Sequence, residues 1–127
     1  MKTLVLIARV LLGLLFVVFG LNGFLHFIPS PAPSALAGQF LGALFVSHYL
    51  SVVFALQFVA GALLLANRFV PAALTILAPV LVNIALFHAF LEPVGYAPAV
   101  LAIALWAVVF SRERAAFRPL LVAKADA

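Results

Sequence analysis

Four apolar runs, separated by short polar or proline-bearing breaks, organise the chain. The first, Thr3 to about Phe27, contains LVLIARVLLGLLFVVFGLNGF; at 1.5 Å per residue it extends roughly 35 Å, enough to cross a hydrocarbon layer with some tilt. Lys2 ahead of an apolar stretch imitates a secretory signal. The run is too long for one and lacks a small-x-small cleavage site, which predicts an uncleaved helix. A second run covers His48 to Ala66 and a third Phe69 to Leu91, with Asn67-Arg68 as a tight turn between them. The fourth is taken over residues 94–113, around the purely apolar stretch Pro98 to Phe110. Arg112 and Arg114 at its end are expected to snorkel to head groups.

The long connection HFIPSPAPSALAGQFLGALFVSHYL, His26 to Leu50, is more than a loop. Prolines at 29, 31 and 33 force an extended start, and Ser34 then suits the N-cap of a short helix through Phe40 and Phe45. That helix is expected to lie on, or dip into, one membrane surface, and Gly38-xxx-Gly42 offers a place for close packing on a neighbour. Pro79 removes the backbone bond to the Thr75 carbonyl inside the third run, with Thr75 or Asn83 placed to compensate. The tail RERAAFRPLLVAKADA, residues 112–127, reads as a cytoplasmic amphipathic segment interrupted by Pro119, attracted to anionic lipid or serving as an ordinary basic flank.

Composition strengthens the membrane reading. Of 127 residues 69% are hydrophobic and 8% charged, too few charges to coat a soluble domain of this size. The length fits one domain. Absence of cysteine excludes thiolate catalysis, disulfide exchange and thiolate metal sites. A pI of about 10.4 would point to nucleic acid in a soluble protein, but here the cations report orientation. Lys2, Arg68, Arg112, Arg114, Arg118 and Lys124 fall on one side of a four-span bundle; the opposite connections hold no Lys or Arg and one acid, Glu92. Both termini are therefore expected in the cytoplasm, with the lipid bilayer as the chain's surroundings and no nucleic-acid partner. The expected fold is an all-α, four-transmembrane-helix bundle with a short interfacial or re-entrant helix between helices one and two.

The LVLIAR start with Arg9, the connection HFIPSPAP, the stretch GALLLANRFVPAALTILAPVLVNIALFHAFLEPVG and the tail motif AAFRPLL together resemble the DoxX family of small bacterial four-helix membrane proteins. The similarity extends over nearly the whole chain and is most specific at Pro79, Asn83, His88 and Pro93. It implies a bacterial inner-membrane protein, an accessory subunit of a quinone-linked oxidoreductase or of an oxidative-stress complex, with protein partners in a membrane redox assembly. Family members often carry Lys where Gly23 stands and Glu where Gln57 stands, so a proton-carrying role at those two positions is not expected here.

Candidate chemistry gathers at the ends of the runs. His88 and Glu92, four apart, share a helix face, an arrangement in which the carboxylate orients the ring. Asn22 and His26 repeat the spacing, and His48 and Tyr49 open the second run at the same level. Together with Asn83, these residues form the candidate ligand site. Three readings stand open: a divalent metal held by His26, His48, His88 and Glu92; a pocket for a quinone head group, since imidazole exchanges protons near neutral pH; or ordinary polar groups at the wet end of a bundle. Deeper in, Arg9 requires a partner, and Gln57 lies at a comparable depth. Arg9, Gly13, Phe16, Gly20 and Gly23 share a face, and Gln57-Gly61 continues a comparable stripe, favouring close helix contact. Beyond a redox accessory, the pattern leaves open a non-catalytic scaffold, a small-molecule transporter and a homo-oligomer.

Overall fold

The computed structural model describes residues 1–30 and 32–125, so Pro31 and the tail's last two residues, Asp126 and Ala127, lie outside the described residues. Helix α1, Lys2–Leu25, runs 24 residues without a break, as expected of a proline-free Leu- and Val-rich run whose backbone groups must all be satisfied internally. It ends where His26 turns left-handed, at φ 52°, and gives its N–H to the Asn22 carbonyl. The Asn22 side-chain oxygen accepts the Ile28 N–H at 2.7 Å, so Asn22 fastens the chain reversal.

Helix α2, Ala35–Val46, starts at Ser34, whose hydroxyl oxygen accepts the Ala37 N–H at 3.4 Å, the N-cap anticipated above. Ser47 and a left-handed His48, at φ 64°, lead into α3, Tyr49–Ala66. Asn67 and Phe69, both left-handed, make the tight turn into α4, Val70–Phe90. A bulky residue in that region costs roughly 1–2 kcal/mol, borne by a connection that leaves only Asn67, Arg68 and Phe69 between two long helices. Helix α5, Ala97–Glu113, passes directly into a 3₁₀ helix, Arg114–Leu121, which carries Pro119 within it.

The described residues are helical with no strand. α1, α3 and α4 are each long and apolar enough to cross a membrane. α1 packs on α3, α3 on α4, α4 on α5, and α5 back on α1, closing a ring of four, while α2 rests against α3 outside it. Leu12, Phe16, Leu64, Leu74, Leu77 and Val109 are the largest side chains fully enclosed by that ring. Large apolar residues such as Leu11, Val52 and Val82 stand outward instead, the distribution that a hydrocarbon solvent permits and water penalises.

The α1–α3 seam is the tightest, and glycine makes it so. A Cβ on Gly61 would lie 2.8 Å from the Gly13 carbonyl oxygen and 2.8 Å from the Val17 nitrogen. One on Gly20 would lie 2.9 Å from the Phe58 nitrogen. These neighbours are backbone atoms, so any side chain would have to separate the helices. At Gly23 the space is filled by the Phe54 ring. The expectation for Gly38 and Gly42 is corrected: Gly38 meets only Pro33, at 3.7 Å, and Gly42 has nothing within 4 Å. α2 is held through its N-terminus and through Phe40, whose ring lies 6.1 Å from that of Phe87, not through a glycine face.

Candidate functional site

The site is built where α4 stops. Leu91 and Glu92 both return their N–H groups to the Phe87 carbonyl, at 2.9 Å each, and Pro93 follows, unable to continue the helix. The Glu92 side chain leaves its own helix and reaches α2, where Oε2 accepts the Ser34 N–H at 2.6 Å. Ser34 answers by donating its hydroxyl to the Leu91 carbonyl at 3.1 Å. A carboxylate thus sits at the N-terminus of α2, the end whose unpaired N–H groups and dipole favour an anion. The pair of bonds latches α2 to the end of α4.

His88 uses Glu92 differently from the expectation. Its Nδ1 lies 2.9 Å from the Glu92 backbone oxygen, and the carboxylate is engaged with Ser34. The correction has a simple cause: the helix ends between them, which swings the Glu92 side chain outward and leaves its carbonyl facing the ring. A carbonyl only accepts, so Nδ1 carries the proton, and in the neutral ring Nε2 keeps its lone pair.

His88 lines an open cleft between α4 and α5 of about 380 Å³, with Ala85, Ala89, Pro93, Tyr96 and Val100 among its walls. A second hollow of about 250 Å³ shares Ala85 and Ile103 with the first and extends along the seam past Ala78 to Trp106. Alanines at 78, 85 and 89 leave this gap. The seam is pinned at Trp106, whose indole N–H donates to the Leu74 carbonyl at 3.0 Å. The groove is consequently apolar along its length and polar at one end, where His88 and Tyr96 stand.

The other candidate residues are placed elsewhere. His26 and His48 are exposed, left-handed residues at helix ends, with the His26 ring 6.3 Å from that of Phe45; neither lines the cleft. Among the described residues no three His, Asp or Glu side chains gather within reach of one metal ion. Tyr49 is exposed as the first residue of α3. Asn83 is exposed on α4 and donates to the Pro79 carbonyl at 2.8 Å. Thr75 donates to the Pro71 carbonyl at 2.9 Å, so neither side chain serves the Thr75 carbonyl freed by Pro79, contrary to the expectation. Both hydroxyl and amide point back along the helix, where the carbonyl four residues earlier is the nearest acceptor.

Arg9 also has a different partner from the one expected. Its guanidinium donates to the Leu64 carbonyl, in the last turn of α3, rather than to Gln57 two turns away along that helix. The Leu64 carbonyl already accepts the Asn67 N–H at 3.2 Å, but it lies at the negative end of the α3 dipole, which attracts a cation more strongly than a neutral amide does. Gln57 is buried, 7% exposed, one turn from Gly61. Three contributors escaped the sequence reading of the site: Ser34 as the receiver of Glu92, Tyr96 and Trp106. For the two aromatics the available signal was an amphipathic ring near the end of an apolar run.

Comparison with protein-family models, with curated proteins and with solved structures finds no match to this chain.

Proposed function

We propose that the chain crosses a bacterial inner membrane four times, through α1, α3, α4 and α5, with both termini cytoplasmic and α2 lying on the outer surface. In that membrane it acts as an accessory component of a quinone-linked oxidoreductase or oxidative-stress complex and holds a quinone-class ligand in the α4–α5 cleft. The resemblance to the DoxX family and the segregation of Lys and Arg support the setting. The observation that carries the ligand is the cleft itself, an apolar groove open along the bundle and ending at His88 and Tyr96.

The residues fit such a group. A cavity near 380 Å³ lies within the ordinary range for small ligands, roughly 300–1,000 Å³. His88, its Nδ1 committed to Glu92, offers Nε2 as an acceptor, and Tyr96 offers a hydroxyl that donates or accepts. A bound quinone supplies reversible uptake of two electrons and two protons. The chain's own contribution is to orient the head group by these two polar groups and to shelter the tail along the alanines of α4. A scaffold reading, in which the protein only binds partners, is favoured by one observation: two of the three histidines are spent on helix ends.

Extraction of purified protein followed by mass spectrometry separates the two. Retained quinone, reduced at least about fivefold by His88→Ala and unchanged by His48→Ala, is expected of the cleft; a five-fold change corresponds to about 1 kcal/mol, the value of one hydrogen bond. Wild-type protein free of any quinone would leave the scaffold reading in place.

A further inference from the structure

Asn83 has more hydrogen-bonding capacity than its own chain satisfies. One amide N–H goes to the Pro79 carbonyl at 2.8 Å; the second N–H and the Oδ1 acceptor have no partner among the described residues, and the side chain is exposed. About seven residues separate it from the α4 terminus at Phe90, roughly 10 Å at 1.5 Å per residue, so it lies within the apolar span and not at its rim. Water is absent there, and an unsatisfied polar group facing hydrocarbon costs several kcal/mol. This inference rests on α4 spanning the membrane.

The surroundings of Asn83 suit a second helix. Ala72, Thr75, Pro79 and Asn83 follow one another at helical spacing along the exposed side of α4, all of small to moderate size. Val82 and Leu86 flank them, 57% and 48% exposed. At about 100° per residue, Asn83 and the cleft residue Ala85 point some 160° apart, so Asn83 faces away from the groove, with Val82 on the border between the two, where it also lines the second hollow. Thr75 already satisfies its hydroxyl internally, leaving Asn83 as the group on this ridge that needs an external partner.

We propose that this face of α4 is the contact between two copies of the chain, closed by reciprocal hydrogen bonds between the two Asn83 side chains. A carboxamide is its own complement: each donates an N–H and each accepts at Oδ1. A two-fold axis beside the residue therefore satisfies both copies at once. The narrow ridge formed by Ala72, Thr75 and Pro79 lets the helices approach closely enough for side chains this short to meet.

The chain's lack of cysteine makes single-cysteine tests clean. In nanodiscs or proteoliposomes of full-length protein, Leu86→Cys should form a disulfide-linked dimer on oxidation, whereas Leu11→Cys, on the outward side of α1, should not. Asn83→Val should weaken dimerisation about tenfold in a dilution series followed by energy transfer, with helix content and melting unchanged, and Asn83→Gln should retain it. A monomer at every protein-to-lipid ratio, an association indifferent to Asn83→Val, or cross-linking of Leu86→Cys only to a different protein in native membranes would overturn the proposal. Ready labelling of Leu86→Cys by a water-borne maleimide would instead remove α4 from the membrane, and the proposal with it.

Discussion

Two seams of the same bundle are built on opposite principles. Along α1–α3, glycines at 13, 20 and 61 bring backbone against backbone with no room for a Cβ. Along α4–α5, alanines at 78, 85 and 89 fill too little of the space between the helices and leave two adjoining hollows, the seam being joined by one indole hydrogen bond. In a membrane, where apolar burial contributes little to helix association, close packing and hydrogen bonds must hold a bundle together. The first seam is thus where stability resides. The second has given up contact area and gained space.

Substitutions that add or remove a few atoms test that contrast. The largest effect is expected at Gly61→Ala, whose new methyl meets the Gly13 and Val17 backbones. It should cost about 1–3 kcal/mol in reversible unfolding from mixed micelles, and a larger residue there should prevent α1 and α3 from pairing. Trp106→Phe removes the bond to the Leu74 carbonyl while keeping most of the ring, and should cost about 1 kcal/mol, with faster hydrogen exchange in α5 than in α1. The smallest change in stability is expected at Ala85→Leu, which grows into an existing hollow; it should shift unfolding by less than about 0.5 kcal/mol while abolishing whatever quinone the cleft retains. Should Ala85→Leu destabilise as much as Gly61→Ala, the two seams would be energetically alike and the contrast would be lost.

Much of the fold was legible because it follows from local rules. Apolar run lengths located the helices, Ser34 announced the start of α2, Asn67-Arg68 announced a reversal, and the glycine spacing on α1 foreshadowed its contact face. The site was less legible, for a geometric reason. Depth along a helix can be counted from the sequence, but rotation about its axis is decided by neighbours, so residues at one level, such as His26, His48 and His88, need not meet. The partners that were missed share a second reason. Arg9 pairs with the Leu64 carbonyl, His88 with the Glu92 carbonyl and Trp106 with the Leu74 carbonyl. Backbone acceptors are present at every position and leave no trace in residue identity; a helix end frees some of them, and even a carbonyl inside a helix, such as that of Leu74, keeps a second lone pair for a donor that reaches it.

The bond between Ser34 and Glu92 joins positions 58 residues apart, and this separation sets a schedule for biogenesis. α2 leaves the ribosome early, capped by its own serine, but the carboxylate that fastens it is translated only after α3 and α4 are complete. Until then Leu36, Phe40 and Phe45, all well exposed even in the finished fold, have only the bilayer surface or a chaperone for shelter. Closure of so distant a contact comes late, because its loop entropy is offset only once the intervening helices have paired. The Ser34–Glu92 latch is therefore among the last contacts the chain can close. A chain that stops short of Glu92 keeps α2 unfastened at that end, with the apolar surface of Leu36, Phe40 and Phe45 exposed, the condition that favours aggregation.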